Sequence, residues 1–156
     1  MGYLSGSNIT TTSRPTFDIN VSGSNTSITF SNGDSYSDKN YISSMCQDYT
    51  GSYSEVLIAG LGLGVIAQWF AVEKNCNVTI IENNSDLIST IEGFGYLHNN
   101  ISIIEADIFT YNPSGYYDLG VMDIWYDCYN STYYQETGSL KTRYSTSCNL
   151  VSIPYM

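Results

Sequence analysis

The chain has 156 residues, of which 42% are hydrophobic, and this is enough for one globular domain with a sizeable core. No apolar run approaches the roughly 20 residues of a membrane-spanning helix, and the N-terminus lacks the basic and apolar regions of a signal peptide, so we expect a cytoplasmic protein. The net charge of −10 argues against nucleic acid as a partner. This charge either serves solubility or attracts a cationic substrate such as a polyamine.

Residues 1–50 are rich in Ser, Thr, Asn and Gly and are predicted to form an N-terminal β-hairpin extension. Two segments, Thr16–Val21 and Ser27–Phe30, alternate polar and apolar residues, and the turn sequence Ser22–Asn25 lies between them. A short helix is expected from Tyr41 to Asp48. The main domain is therefore predicted to comprise residues 51–156.

An apolar run at Glu55–Ala59 leads into glycines at alternate positions and then into a second apolar run. The three glycines are Gly60, Gly62 and Gly64. This order predicts a buried strand, a tight turn and a helix from about Leu63 to Glu73. Such a turn presents backbone N–H groups to a nucleotide-like ligand. NAD is disfavoured, because the sixth position of its fingerprint, counted from Gly60, is Val65.

Three further strands are predicted, and each is followed at once or shortly by an acidic residue. They are Asn77–Ile81 before Glu82, Asn100–Glu105 before Asp107, and Tyr117–Met122 before Asp123. A carboxylate at the tip of the second strand is placed to accept two hydrogen bonds from ribose hydroxyls. The acids at the strand ends are therefore candidate ligand-binding residues.

Helices and one more strand complete the predicted domain. A helix from about Ser85 to Tyr96 has Asn84 or Ser85 as its N-cap. Asn112–Gly115 predicts a turn in place of a long helix, and Ser131–Tyr144 predicts a helix that Gly138 weakens. A fifth strand is expected at Asn149–Pro154. Alternating strands and helices predict a parallel sheet with right-handed crossovers.

From about Glu55 to Tyr144, these motifs resemble the class I S-adenosylmethionine-dependent methyltransferase superfamily, and within it the branch of spermidine synthases and small phage-encoded relatives. The resemblance implies an α/β Rossmann-like three-layer sandwich with a mostly parallel sheet in the order 3-2-1-4-5. The sequence predicts a sheet truncated after strand five, since no chain remains for the family's sixth and seventh strands. An exposed edge of that sheet favours a homo-oligomer or cover by the N-terminal hairpin.

The resemblance implies S-adenosylmethionine as the cofactor, with decarboxylated S-adenosylmethionine as the alternative. In the family, the glycine turn holds the amino-acid end of the cofactor, an acid like Glu82 holds the ribose, and an acid like Asp107 binds the adenine amino group. The full set of predicted cofactor-binding residues is Gly60, Gly62, Gly64, Glu82, Asn83, Ala106, Asp107 and Asp123.

The reaction side is predicted at Asp123–Tyr129, with Asp123, Tyr126 and Asp127 as candidate catalytic residues. A carboxylate near a sulfonium centre can orient an amine and accept its proton. Aromatic faces such as Trp125 can hold a cation, although packing explains an aromatic residue equally well. Helix N-capping or solvation explains Asp127 somewhat better than a catalytic role does.

Three functions follow from these patterns. The first is methyl transfer to a small or amine-bearing acceptor. The second is aminopropyl transfer, which the acidic charge favours. Against it, spermidine synthases carry an acid in the glycine turn, where this chain has Leu61 and Leu63, and a second acid after strand four, where this chain has Tyr126. The third is a non-catalytic assembly or virion-associated protein that keeps the fold. A phage-encoded chain would act in the host cytoplasm.

Cysteine and histidine spacing predicts no metal site. Cys46, Cys76, Cys128 and Cys148 form no Cys-x-x-Cys pair, so buried free thiols are expected. His98 is the only histidine and is expected to be a cap or a surface residue.

Overall fold

The computed structural model describes residues 3–4, 8–37, 46–125 and 130–154. An antiparallel sheet contains β1 (Thr12–Ser13), β2 (Phe17–Ser22), β3 (Asn25–Phe30) and β4 (Ser35–Ser37). A parallel sheet contains β5 (Glu55–Ala59), β6 (Asn77–Glu82), β7 (Ile101–Glu105), β8 (Tyr117–Met122) and β9 (Cys148–Ser152). The helices of the described residues are α1 (Val65–Glu73), α2 (Ser85–Phe94) and α3 (Ser131–Tyr144).

The predicted hairpin is present as β2 and β3, which pair in register from Phe17 opposite Phe30 to Ser22 opposite Asn25. It is the centre of a larger element, because β1 and β4 extend it to four strands in the order β1-β2-β3-β4. The short strands β1 and β4 carry too few apolar residues for alternation to reveal them. Of the short helix expected at Tyr41–Asp48, residues 41–45 lie outside the described residues, and Cys46–Asp48 forms a single 3-10 turn.

The parallel sheet has the order β7-β6-β5-β8-β9, which is the expected order 3-2-1-4-5. All of its pairings are parallel. The central strand β5 is buried on both faces, which explains its continuous apolar sequence. Within the described residues this sheet has five strands.

Local chemistry sets the ends of the helices. Helix α1 begins at Val65 and not at Leu63, because Gly64 has a φ of 76° and cannot belong to a right-handed helix. Helix α2 begins after Asn84, whose side chain accepts a hydrogen bond from the N–H of Leu87, and it ends at Phe94, because Gly95 follows with a left-handed φ of 73°. The predicted end at Tyr96 was therefore two residues too late. Helix α3 has the predicted bounds.

Alternate residues of β5 face two separate hydrophobic clusters. Val56 and Ile58 belong to a cluster with α1 and α2, which also contains Phe17, Ile19 and Ile28 of the antiparallel sheet. On the other face, Leu57 and Ala59 belong to a cluster with α3, which contributes the buried residues Tyr133, Leu140 and Tyr144. The antiparallel sheet is thus packed into the same core as the first two helices. The division of the chain into domains at about residue 50 stays a prediction.

The parallel arrangement brings the carboxyl ends of β5, β6, β7 and β8 to one edge of the sheet. The switch point lies at β5, because the chain continues to β6 on one side and reaches β8 on the other. Ligands of open α/β sheets bind at this position. In the part of the chain that the structure describes, no helix has the length and apolar character to cross a membrane.

Candidate active site

The turn after β5 requires glycine at all three predicted positions. Gly60, Gly62 and Gly64 have φ angles of 96°, 50° and 76°, in the region that L-amino acids with side chains rarely adopt. A Cβ at Gly60 would lie 2.3 Å from the carbonyl oxygen of Asp123, and a Cβ at Gly64 would lie 2.9 Å from Cδ2 of Leu97. The turn therefore fits against β8 and the α2–β7 connection only without side chains.

This turn leaves backbone donors available to a ligand. The N–H of Gly60 donates to Ile81, the N–H of Leu61 to Glu82, and the N–H of Gly64 back to Leu61. Among the described residues, the N–H groups of Gly62 and Leu63 have no acceptor, and they lie next to the first turn of α1, whose N–H groups also point out of the helix. The helix dipole adds partial positive charge here, so the turn suits an anionic group.

Glu82 is tied to the glycine turn by its carboxylate. Its Oε2 accepts from the N–H of Leu61 at 2.9 Å, and its Oε1 accepts from the N–H of Asn84 at 2.9 Å. A carboxylate has about four acceptor positions. Each oxygen therefore keeps capacity for a hydroxyl donor, which fits the expected ribose contact.

The loops at this edge continue the hydrogen bonding of the sheet beyond the strands. Gly60 N–H donates to Ile81 at 2.9 Å, Ala106 N–H to the backbone of Glu82 at 3.0 Å, and Asp123 N–H to Ala59 at 3.0 Å. The predicted cofactor residues Gly60, Glu82, Ala106 and Asp123 are thus brought together along one edge.

Asn83 and Asp107 are exposed at the same edge. Asp107 Oδ1 accepts from the N–H of Phe109 at 2.9 Å, and this bond closes the loop after β7. Oδ2 of Asp107 has no partner within the described ranges, and neither does the side chain of Asn83. Both therefore offer free polar atoms to solvent or to a ligand.

Asp123 is a half-buried acid without a side-chain partner. No hydrogen bond or ion pair reaches its carboxyl group from any residue of the described ranges. Removal from water without a compensating donor disfavours the charged form, and this burial raises the pKa of Asp123 to about 7. A carboxyl group with this pKa can exchange a proton near neutral pH.

The glycine turn and Asp123 border one open cleft. Gly60, Gly62 and Gly64 line it together with the start of α1, Asp123 and one residue from the antiparallel sheet, Ser37. The cleft joins the predicted cofactor-binding turn to the predicted reaction-side acid.

The predicted catalytic residues Tyr126 and Asp127 lie outside the described residues. Trp125 precedes them and is half-buried; its Nε1–H donates to Oε2 of Glu136 on α3 at 2.5 Å. Its ring meets that of Tyr133 edge to face, with centroids 5.4 Å apart. Glu136 was not predicted, because its place beside Trp125 depends on how α3 packs on the sheet.

Tyr96 and Gln68, which the sequence did not indicate as site residues, form hydrogen bonds that connect the glycine turn, α1 and the α2–β7 connection. The hydroxyl of Tyr96 donates to the carbonyl of Leu63 at 2.5 Å, and burial raises the pKa of Tyr96. Buried Gln68 on α1 donates to the carbonyl of Tyr96 and accepts from the N–H of His98. These bonds hold the α2–β7 connection against α1. The available sequence signal was a single glutamine, Gln68, between apolar residues of the predicted helix.

The remaining polar candidates do not assemble into a metal site. Cys46, Cys76 and Cys148 are buried free thiols, as expected, and burial raises the pKa of each; Cys128 lies outside the described residues. His98 is exposed and its Nδ1 accepts from the N–H of Asn100. Within the described part of the chain, no three His, Cys, Asp or Glu residues are grouped for metal binding.

Solved structures resemble this chain. The DhpI–SAH complex matches with a TM-score of 0.53 and 14% identity over 71% of this chain and 52% of that chain. The plantazolicin methyltransferase BpumL, in complex with a monoazolic desmethylPZN analog and SAH, matches with a TM-score of 0.50 and 14% identity over 65% of this chain and 37% of that chain. Coclaurine N-methyltransferase, bound to N-methylheliamine and SAH, has 23% identity, a TM-score of 0.44, and coverage of 54% of this chain and 25% of that chain.

The likeness at these identities shows the fold, and the chain has the α/β fold of the class I S-adenosylmethionine-dependent methyltransferases. It spans between a quarter and about half of the length of these three proteins. No protein-family model and no curated protein sequence matches the chain. Placement in the spermidine synthase-like or phage-type branch stays a prediction.

Proposed function

We propose that this protein is an S-adenosylmethionine-dependent methyltransferase that acts on a small acceptor, with an amine as the favoured nucleophile. The observation that carries the proposal is the single cleft bordered by the glycine turn and by Asp123. One wall offers backbone donors and the other offers a carboxyl group with a pKa of about 7. Binding and proton transfer therefore occur in one cavity.

The residues fit the cofactor. The free N–H groups of Gly62 and Leu63 suit its α-carboxylate, and absent side chains at Gly60 and Gly64 leave room for close approach. The remaining lone pairs of Glu82 suit ribose hydroxyls. Asn83, Ala106 and Asp107 would border the adenine, with Oδ2 of Asp107 as acceptor for its amino group.

When bound, S-adenosylmethionine supplies an electrophilic methyl group on sulfur. Asp123 in its charged form accepts the proton that the acceptor nitrogen gives up, and thereby keeps the nitrogen lone pair available. Its pKa of about 7 means that both the charged and the neutral form are populated near neutral pH. Tyr126 and Asp127 stay candidate catalytic residues, and Trp125 stays a candidate for holding a cationic acceptor.

The geometry favours methyl transfer over aminopropyl transfer. Decarboxylated S-adenosylmethionine lacks the carboxylate that would use the free N–H groups at the helix N-terminus, so those donors would stay unpaired in its complex. An apolar residue, Leu61 or Leu63, also stands where the spermidine synthase pattern has an acid in the turn.

Titration calorimetry with S-adenosylmethionine, S-adenosylhomocysteine and decarboxylated S-adenosylmethionine tests the proposal. We expect the first two ligands to bind and the third to bind at least tenfold more weakly. Preferential binding of the decarboxylated ligand would support aminopropyl transfer. Absence of binding by all three would support a non-catalytic protein that keeps the fold. Transfer of labelled methyl groups to primary and secondary amines would then identify the acceptor class.

A further inference from the structure

The antiparallel sheet reaches the cleft directly. Ser37, the last residue of β4, lines it together with the glycine turn, although more than 20 positions separate Ser37 from Gly60 in the sequence. Ser37 is half-buried, and its hydroxyl has no partner among the described residues. A polar side chain at the wall of this cleft, without a partner among the described residues, is available to a ligand.

A second contact joins this sheet to the loop after β6. The side-chain amide of Asn84 donates to the hydroxyl of Thr16, just before β2, at 3.0 Å. The backbone N–H of the same Asn84 donates to Oε1 of Glu82. The sheet therefore contacts the loop after β6 and lines one cleft with the glycine turn, and these are two of the three loops that are proposed to bind the cofactor.

The apolar face of the sheet fixes its position. Phe17, Ile19 and Ile28 are buried in one cluster with Leu61 and Leu63 of the glycine turn. Burial of three large side chains stabilises this contact by several kcal/mol, at about 1.5 to 3 kcal/mol each. The sheet and the turn therefore hold a defined relative position.

We propose that the N-terminal antiparallel sheet is part of the cofactor site, and that Ser37 is a cofactor-binding residue. This inference rests on the proposed function. The hydroxyl of Ser37 hydrogen-bonds the amino-acid end of the adenosyl cofactor, because that end is proposed to lie at the glycine turn, which lines the same cleft as Ser37. Cofactor binding is consequently expected to make β3 and β4 more rigid.

Two substitutions at Ser37 and one matched control test this role. Ser37→Leu fills the cleft, and we expect it to weaken S-adenosylhomocysteine binding at least tenfold in calorimetry. Ser37→Ala removes the hydroxyl alone, and we expect a loss of about two- to tenfold, as for one hydrogen bond. The control, Ser35→Leu, places the same side chain two residues earlier on β4, where Ser35 is exposed and does not line the cleft. It should keep affinity within twofold of the parent.

The outcomes separate this inference from the proposed function. If the parent binds none of the adenosyl ligands, both fail. If the parent binds and both Ser37 variants bind equally well, the inference alone is wrong. Thermal unfolding checks that each variant is folded; if Ser37→Leu does not fold, the Ala variant decides. Hydrogen exchange is an independent measurement, and slower exchange of the β3 and β4 amides with S-adenosylhomocysteine is expected, whereas unchanged exchange would contradict the expected gain in rigidity.

Discussion

Glu82 and Asp123 occupy similar places, since Glu82 is the last residue of β6, Asp123 directly follows β8, and both border the same edge of the parallel sheet. Their surroundings differ. Both oxygens of Glu82 accept backbone N–H groups, whereas the carboxyl group of Asp123 has no partner in the described ranges. Burial raises the pKa of Asp123 to about 7. A carboxylate that accepts backbone hydrogen bonds suits a permanent binding contact. A carboxyl group without such bonds suits proton exchange.

The difference has a structural origin. Glu82 lies between the glycine turn and the N-terminus of α2, where unpaired N–H groups point toward it. The backbone carbonyl of Asp123 lies against Gly60, and no donor from the described residues reaches the carboxyl group of Asp123. These different surroundings are the basis for proposing Glu82 as the binding acid and Asp123 as the acid for chemistry.

The largest effect is expected for Asp123→Asn. Asparagine keeps the shape of the side chain but cannot accept a proton, so the methyl-transfer rate should fall by about two to four orders of magnitude. The parent rate should rise with pH through about 7 as Asp123 ionises, and the variant should lose this dependence. Single-turnover rates between pH 5.5 and 8.5 measure both. An unchanged pH profile in the variant would assign the titration to another group.

Stability measurements are the control for Asp123→Asn. The pKa of this acid is higher in the folded protein than its ordinary value of 3.8. Its contribution to stability is therefore full below about pH 4 and is lost as pH rises through about 7. The variant lacks this loss, so its thermal midpoint should exceed that of the parent at pH 8 more than at pH 5. A lower midpoint at both pH values would indicate a structural role.

Gly60→Ala should destabilise the contact between the glycine turn and the backbone of Asp123. The new Cβ would lie 2.3 Å from the carbonyl oxygen of Asp123, at a φ of 96°. We expect a loss of about 3 kcal/mol in unfolding free energy. The control, Gly138→Ala, lies in exposed helix with open space around it and should gain about 0.5–1 kcal/mol. Urea unfolding measures both, and equal effects would contradict the proposed close approach.

Glu82→Gln tests the binding side of the comparison. Glutamine has one acceptor oxygen, so either Leu61 or Asn84 loses its acceptor, and the ribose contact is weakened. Affinity for S-adenosylhomocysteine should fall by roughly 1.5 to 3 kcal/mol. Glu105→Gln is a matched control, because Glu105 is the exposed register partner of Glu82 on β7. If both variants bind equally well in calorimetry, the ribose assignment is wrong.

The smallest effect is expected for Tyr96→Phe. This change removes the hydrogen bond to the carbonyl of Leu63 but keeps the ring in place. S-adenosylhomocysteine affinity should fall by about 1 kcal/mol, with the rate at saturation unchanged. The control is Tyr134→Phe, at an exposed position of α3. A lower methyl-transfer rate at saturation with unchanged affinity would contradict the expectation that Tyr96 acts only by positioning the glycine turn.

Sequence patterns predicted the elements that depend on neighbours in the chain. The glycine turn, the N-cap at Asn84 and the bounds of α3 depend on local chemistry, and the strand order came from the family resemblance. Ser37, Tyr96 and Glu136 could not be predicted, because their positions depend on packing between distant segments. The raised pKa of Asp123 depends on the same packing.

The backbone bonds of Gly60, Ala106 and Asp123 that extend the sheet have a consequence for binding entropy. Loops that are already paired lose little conformational freedom when a ligand arrives, and ordering cost is a main penalty in association. This edge of the sheet is therefore preorganised for its ligand. The conformational entropy that binding still removes is that of the ligand itself and of the part of the cleft that the antiparallel sheet contributes at Ser37.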